Sequence, residues 1–421
     1  PLISWSLIGL SAALLLIGFG INPARWQLVP ALLALLIIAA QTLLTMHSGN
    51  TAGMHVWALA SCAILLALSA ALAWGMPAGA LPAPEGPFKV GTITTELTRT
   101  PSPAEEPPRH LTIKVWYPAA SSAKAGKLDS LWNELPSIKE MPALARGLLA
   151  YMGRIKTHSI LNAPSASGRQ YPLLIYNHSL ISFASENTLL MEWLASRGYV
   201  VVSLRHREQA EEYAAIQKGI SEDEQARDRE LTSRLRKTLT RKERAELSLM
   251  QFENSSGVSM IVKRRAEDSA FVLANLSQVL TRIPGASDDS IAPDFGALGL
   301  SLGGAVATRF CLAEPRCAGV ANLDGGLYGL DKSRLLRSPY LMIYSQDNAG
   351  TNDAFVQGTE GYQELVLQGA KHLDLQDASV VLPILKWFGM LGAGSGKAKN
   401  HRMKAAVASF FDRALKPPIS G

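Results

Sequence analysis

The residues best suited to chemistry lie in GLSLGG, residues 299–304, which has the outline of Gly-x-Ser-x-Gly. In many hydrolases this pattern forms a tight strand-to-helix turn that exposes a nucleophilic serine. The apolar run FGALGL precedes Ser301, and the helix-forming run LGGAVATRFCLA follows it. Because a helix N-terminus favours developing negative charge, this context predicts an activated Ser301 rather than a serine in an ordinary turn.

A serine hydroxyl needs a base to take its proton and a carboxylate to orient that base. In this type of site the acid and then the histidine follow the serine along the chain. Of the two later histidines, His372 follows the last predicted strand, whereas His401 lies in a basic, solvated stretch. We therefore predict His372 as the base. Asp324 and Asp347 each end a predicted strand, and position alone favours Asp347 slightly.

The order of the predicted elements places these residues on an α/β sheet. TITTEL and LTIKVWYPA predict an opening antiparallel strand pair. Continuous apolar runs then alternate with helical patterns, which indicates a mostly parallel, doubly wound sheet with strands buried on both faces. These strand-like runs are YPLLIYNHS, YVVVSLRH, FGALGL, CAGVANLDGG, PYLMIYSQDN and YQELVLQGAKH.

The first 76 of the 421 residues contain three long apolar runs that lack Asp, Glu, Lys and Arg. A helix of about 20 residues spans the roughly 30 Å of a bilayer core, so we predict three transmembrane helices rather than three buried core helices. The predicted helices cover about 2–20, 28–46 and 56–76. The Pro/Gly/Ala-rich stretch 77–88 is then a linker to a globular domain over 89–421.

Few residues of the sequence indicate which side of the membrane this domain faces. The first loop carries only Arg25, and positive-inside counting would put the domain in the cytoplasm. Against this, Cys311 and Cys317 could pair in an oxidising compartment, although they could equally be two free thiols. We favour the extracytoplasmic side because of these cysteines.

The net charge of +6 does not form a stripe that would bind phosphates. Basic residues in RLRKTLTRKER (234–244) are interleaved with acidic ones, which indicates solvated helices and no nucleic-acid partner. The charged segment 208–260 is predicted to be a helical insertion, and its apolar residues allow a lid or docking surface. A packed helical excursion is the interpretation that we favour. The sequence contains no metal-ligand motif and no phosphate-binding glycine loop, so we expect no metal and no cofactor.

Several segments together resemble platelet-activating-factor acetylhydrolases of the plasma type and their bacterial relatives, within the dienelactone-hydrolase-related α/β-hydrolases. They are THSILNAP, YPLLIYNHSLISF, YVVVSLRHRE, GLSLGG and NLDGG, and the likeness runs from about Gly86 to about Phe411. The resemblance implies an α/β-hydrolase fold and an acid on the strand that follows the nucleophile. That strand carries Asp324, so the resemblance reverses the positional preference. The predicted triad is Ser301, Asp324 and His372, with Asp347 as the alternative acid.

The oxyanion of a tetrahedral intermediate needs preorganised N–H donors. One is the backbone N–H of Leu302, the residue after the nucleophile. The resemblance places the second at Leu180, in NHSLIS. Relatives usually have Gly at Ser179, after His178, and often an aromatic residue or His at Leu300. We expect these three residues to support the site, and Ser179 either restricts the loop backbone or adds a hydroxyl near the oxyanion.

Together these residues predict a membrane-anchored serine ester hydrolase that forms an acyl-enzyme. The resemblance implies substrates with short or oxidised acyl chains, such as those of phospholipids. Polyesters, xenobiotic esters or acyl transfer to an alcohol would use the same triad. A non-catalytic membrane scaffold with a relic fold is the alternative from another class, and retention of all three triad residue types argues against it. Small residues in the apolar runs also allow a homo-oligomer through the helices.

Overall fold

A sheet of ten strands, counted over the described residues, forms the centre of the fold. A computed structural model describes residues 2–21, 25–48, 56–100, 108–123, 126–139, 141–207, 209–237, 239–331, 338–356 and 358–415. The strands are β1 (Lys89–Arg99), β2 (Arg109–Ala119), β3 (Leu128–Ser130), β4 (Lys156–Leu161), β5 (Tyr171–Asn177), β6 (Val200–His206), β7 (Ile291–Leu300), β8 (Cys317–Leu323), β9 (Tyr340–Ser345) and β10 (Tyr362–Leu367). Their spatial order is β10-β9-β8-β7-β5-β6-β2-β1-β4-β3.

Most of the sheet is parallel. Strands β5 to β10 all run in the same direction, and β2 is antiparallel to both β6 and β1. The predicted mostly parallel sheet with an opening antiparallel pair is therefore confirmed. The sequence did not predict β3 and β4, because β3 has only three residues and β4 reads KTHSIL, without a continuous apolar run.

Helices fill the connections between the strands. The α-helices of the described residues are α1 (Leu2–Ile21), α2 (Val29–Ser48), α3 (Val56–Gly75), α4 (Ala143–Leu149), α5 (Thr188–Ser196), α6 (Gln209–Gly219), α7 (Glu222–Leu235), α8 (Arg241–Asn254), α9 (Ser256–Ala274), α10 (Leu276–Leu280), α11 (Leu302–Ala313), α12 (Asp353–Val356), α13 (Ala378–Val381) and α14 (Gly396–Leu415). Short 3-10 helices cover Trp26–Leu28, Leu135–Ser137, Ala150–Arg154, Asp288–Ser290, Gln346–Asn348, His372–Leu375 and Pro383–Lys386.

Both faces of the sheet are covered, as the continuous apolar strands predict. On β7, Ala297 packs into a cluster with Val262 of α9 and Val306 of α11. The next residue, Leu298, packs into a second cluster with α5 and α14, which includes Phe411. Successive residues of one strand point to opposite faces, so an apolar residue is needed at every position of a central strand.

Capping residues determine where the helices of the charged insertion begin. The Ser221 hydroxyl accepts the backbone N–H of Glu224 at the start of α7, and Thr240 and Glu243 form a capping box on α8. Ser255 separates α8 from α9 with a non-helical backbone, φ −87° and ψ 73°. The predicted insertion boundary at 260 therefore lies inside α9 and not between two helices.

The N-terminal helices pack against one another and against the globular part of the chain. Among the described residues, two helices are long and apolar enough to cross a membrane, judged by length and composition: Trp26–Thr45 and Val56–Gly75. The run 2–20 is helical as α1, but it does not add a third candidate, so the count of three spans stays a prediction. At the end of α3, the ring of Trp74 stacks on that of Trp387 with centroids 5.9 Å apart.

Cys311 and Cys317, for which the sequence left two states open, are joined by a disulfide. The bond connects the C-terminal part of α11 to the first residue of β8. It therefore links the helix after Ser301 directly to the strand that leads to Asp324.

The close contact between α11 and β5 yields a stability prediction. A Cβ atom on Gly303 would overlap the backbone carbonyl of Asn177, whereas a Cβ on Gly147, in α4, would meet no heavy atom within 4 Å. We expect Gly303→Ala to lower the free energy of unfolding by about 1–3 kcal/mol, as other overpacking substitutions do. The control Gly147→Ala should be neutral or stabilising by up to about 1 kcal/mol, because alanine favours helix. Thermal unfolding of the purified variants measures both, and equal Tm values would contradict the packing account.

Candidate active site

Ser301 lies on a strained turn between the end of β7 and the start of α11. Its φ of 56° and ψ of −125° are rare for a residue with a side chain, and such a conformation costs of order 1–3 kcal/mol. Gly299 and Gly303 permit the turn, because a Cβ on Gly299 would overlap the backbone of Gly303. The backbone N–H of Ser301 donates to the carbonyl of Leu323 on β8 (2.8 Å), which fixes the turn to the neighbouring strand.

Asp324 and His372 are in direct contact. Asp324 follows β8 with a fully buried side chain, and His372 begins the 3-10 helix after β10. The Nδ1 atom of His372 lies 2.7 Å from Oδ2 of Asp324. The carboxylate also accepts the backbone N–H of Ser345 (2.7 Å) and the side-chain amide of Asn348 (2.8 Å). Asp324 is thus held rigidly and can orient the imidazole.

The alternative acid, Asp347, and the other late histidine, His401, are both exposed. Asp347 is exposed in the 3-10 helix Gln346–Asn348, and no hydrogen bond joins it to His372 among the described residues. His401 is exposed on α14, with Nε2 3.9 Å from a carboxylate oxygen of Glu85. Of the two aspartates that end strands, the structure therefore pairs Asp324 with the histidine.

The environment of His372 favours its protonated form. Partial burial lowers the pKa of His372, but the hydrogen bond and the charge of Asp324 outweigh this, so its pKa lies above the usual value. A raised pKa makes the imidazole a better proton acceptor near neutral pH. By linkage, protonated His372 stabilises the fold below the histidine pKa of the unfolded chain, and this stabilisation is lost as the pH rises through the folded pKa.

One cavity of about 640 Å³ contains the predicted site residues. Ser301, Asp324 and His372 line it, together with Leu302 and Leu180. Helices α7 and α8 of the insertion form part of its wall with one face each. The residues of the insertion that line the cavity are Thr232, Leu235, Arg236, Arg244, Ser248, Gln251 and Phe252. The insertion is thus packed onto the site, and the spacing of Arg244, Ser248 and Gln251 shows that a single face of α8 is used.

Glu186 fixes the loop that carries Leu180 from one side. This buried carboxylate accepts the backbone N–H of Ser179 (3.0 Å), the Ser179 hydroxyl (2.7 Å) and the Ser182 hydroxyl (2.6 Å). The hydroxyl of Ser179, whose role the sequence left open, is therefore used to restrain the loop and does not stand free beside the cavity.

Arg265 of α9 holds the same loop from the other side. Its Nη1 donates to the carbonyl of Ser179 (3.2 Å) and its Nη2 to that of Leu180 (2.7 Å). Burial lowers the pKa of Arg265 to about 10, so it remains protonated at neutral pH. Because C=O and N–H point in opposite directions in a trans peptide, fixing the Ser179 carbonyl also fixes the direction of the Leu180 N–H.

His178 supports this peptide unit as a neutral ring. Burial, with the charge of Arg265, lowers the pKa of His178 well below its usual value. Its Nδ1 lies 2.6 Å from the carbonyl oxygen of Ser179, which requires the proton on Nδ1. Leu300, the other predicted supporting residue, is fully buried in the core with Leu298 and does not line the cavity. Among the described residues, no group of three or more His, Cys, Asp or Glu side chains is placed to hold a metal ion.

Sequence reasoning missed Glu186 and Arg265. Arg265 lies in VKRRAED, which has the charge pattern of a solvated helix, and its contacts are 85 and 86 residues away along the chain. Glu186 follows the loop directly, and a polar residue there has no distinct pattern. The role of Arg265 is visible only once α9 packs beside the loop, and that of Glu186 only in the fold of the loop itself.

The Asp324 contact predicts the titration of His372. In Asp324→Asn the raising effect of the carboxylate is removed and burial remains, so the pKa of His372 should fall below that in the unaltered chain. In the control Asp347→Asn it should not change, because Asp347 has no bond to the ring. NMR titration of the imidazole resonances gives both values. A fall of the pKa only in Asp347→Asn would contradict the assignment.

Comparisons with known proteins show the family and the fold of the chain. The sequence model of the family described as platelet-activating factor acetylhydrolase, isoform II, matches residues 75–415. Platelet-activating factor acetylhydrolase of Cavia porcellus is 21% identical over 280 residues, which are 63% of this chain and 63% of that protein. The enzyme of Canis lupus familiaris is 27% identical over 104 residues, 23% of each chain. The chain thus matches less than two thirds of the length of either relative.

A solved structure supports the fold. Ferulic acid esterase from Streptomyces cinnamoneus superposes with a TM-score of 0.55 at 21% identity, covering 82% of this chain and 97% of that one. This likeness shows an α/β-hydrolase-like fold with a mostly parallel sheet, as the strand order here requires. The match of the family model over residues 75–415, together with this fold, shows that the chain belongs to the platelet-activating factor acetylhydrolase, isoform II, family.

Proposed function

We propose that the protein is a membrane-anchored serine ester hydrolase. The observation that carries the proposal is the common cavity of Ser301, Asp324 and His372, with the histidine bonded to the aspartate. A serine on a strained strand-to-helix turn is exposed to such a cavity, and an Asp-oriented imidazole can take its proton. Family membership supports the same reaction class.

In the proposed reaction, Oγ of Ser301 attacks the ester carbonyl carbon while Nε2 of His372 takes the hydroxyl proton. The carbonyl oxygen becomes an oxyanion, which the backbone N–H groups of Leu302 and Leu180 stabilise. Collapse of this intermediate breaks the bond to the alcohol, which leaves with the proton from His372. Water then attacks the acyl group on Ser301 by the same steps, which releases the acid and restores the serine.

We extend the proposal to lipid substrates and to the membrane. The resemblance favours esters with short or oxidised acyl chains, such as those of phospholipids. The apolar helices α1, α2 and α3 would hold the site beside lipid as three spans, and the contact of Trp74 with Trp387 supports a fixed position of the domain next to them. The disulfide between Cys311 and Cys317 favours the extracytoplasmic side, where thiols are oxidised.

Hydrolysis of a simple ester tests the proposed triad. With 4-nitrophenyl butyrate, Ser301→Ala and His372→Ala should each lower kcat by about 10⁴-fold or more, and the double variant should cost little beyond either single one. Asp324→Asn should also be strongly impaired, whereas Asp347→Asn should stay within about twofold of the unaltered enzyme. Activity of Ser301→Ala within tenfold of the unaltered enzyme, in correctly folded protein, would contradict the proposal.

A further inference from the structure

Two arginines share the cavity with the proposed catalytic residues. Arg236 follows the last residue of α7, and Arg244 lies in the first turns of α8. Both line the same 640 Å³ cavity as Ser301 and His372. Arg244 is partly buried and donates to the backbone carbonyl of Leu235 (3.4 Å), which connects the two helices across the cavity wall.

In the described part of the chain, no ion pair neutralises the charges of these arginines. Among the described residues that line the cavity, Asp324 is the one carboxylate, and its oxygens are already used by His372, Ser345 and Asn348. Within the described part of the chain, neither arginine has a carboxylate within 4.0 Å. The described residues thus give the cavity two guanidinium groups and no acidic partner for them.

Arg241, one turn before Arg244 on the same helix, does form ion pairs with carboxylates. Its guanidinium lies 2.6 Å from Asp353 and 2.6 Å from Glu364, outside the cavity. Arg241 therefore fastens the insertion to the sheet, and Arg236 and Arg244 are not needed for that purpose. Their free N–H groups remain available to a molecule in the cavity.

We propose that Arg236 and Arg244 form an anion subsite that binds a phosphate or carboxylate group of the ester substrate. A guanidinium presents a planar fork of N–H donors that matches the oxygens of either group, and charge-assisted hydrogen bonds are the stronger ones. Arg244 is partly buried, so its charge is screened less than in open solvent, whereas Arg236 is exposed at the edge of the cavity. The inference rests on the proposed ester hydrolysis and assigns to these two arginines the selectivity for esters that carry a negative charge near the scissile bond.

The anion can come from two sources, on the alcohol side or on the acyl side of the ester. A phosphate on the alcohol is the first source, and a carboxylate at the far end of the acyl chain is the second. In both cases the subsite holds a group that does not react, so it binds substrate and transition state equally. Its loss should therefore raise KM and leave kcat nearly unchanged.

The test compares matched neutral and anionic esters with the full-length protein in detergent. On the acyl side the pair is 4-nitrophenyl butyrate and the mono-4-nitrophenyl ester of glutaric acid. On the alcohol side it is glycerol triacetate and diacetylglycerol 3-phosphate. The variants are Arg236→Gln, Arg244→Gln and the double variant. Arg229→Gln is the matched control, because Arg229 is exposed on α7 and does not line the cavity.

For at least one pair, we expect the double variant to raise KM for the anionic ester by about 10-fold to 100-fold, the size expected for lost hydrogen bonds to a charged group. The neutral ester and the Arg229→Gln control should stay within about twofold of the unaltered enzyme. The pair that responds identifies the side on which the anion lies. Unchanged KM for both anionic esters, or an equal loss for neutral and anionic esters, overturns the subsite.

The same data separate the two proposals. If the unaltered protein hydrolyses the neutral esters in a Ser301-dependent way but the arginine variants show no selective loss, only the subsite is overturned. If the folded, unaltered protein hydrolyses none of the four esters, the proposed function is overturned and the subsite with it.

Discussion

The close approach of α11 to β5 and β7 is the constraint on which the site depends. Without side chains at Gly299 and Gly303, the helix can begin directly against the ends of two strands. This contact holds Ser301 at a positive φ and leaves the first N–H groups of α11 without partners inside the helix. The strain at one residue is thus maintained by packing that involves the whole central sheet.

A second constraint acts on the loop that faces this turn. Glu186 accepts a hydrogen bond from a backbone N–H of this loop, and Arg265 donates to two of its carbonyl oxygens. The peptide between Ser179 and Leu180 therefore has little freedom to rotate. Arg265 is one turn before Asp268 on α9, and Asp268 contacts Arg109 of β2 and His206 of β6. Burial lowers the pKa of His206, while Asp268 partly offsets that effect.

The parts of the fold that are buried on both faces could be predicted from the sequence, because most positions of β5 to β9 carry apolar residues. The ends of β7 and β10 also located Ser301 and His372. Asp324 and Asp347 both follow a strand, and position alone slightly favoured Asp347. The family resemblance reversed that preference in favour of Asp324, the residue that contacts His372 in the structure. Which faces of α7 and α8 line the cavity could not be predicted, because the sequence of a charged helix does not show what the helix packs against. The cavity wall that carries Arg236 and Arg244 was therefore visible only in three dimensions.

The central claim is that Ser301 is a nucleophile activated by His372 and Asp324. Labelling of the membrane fraction with a fluorophosphonate probe, followed by peptide mapping with mass spectrometry, tests it most directly. The account predicts a single adduct on Ser301, formed much more slowly in Asp324→Asn than in Asp347→Asn. Absence of an adduct on the folded, unaltered protein, or an adduct on another serine that persists in Ser301→Ala, would contradict it.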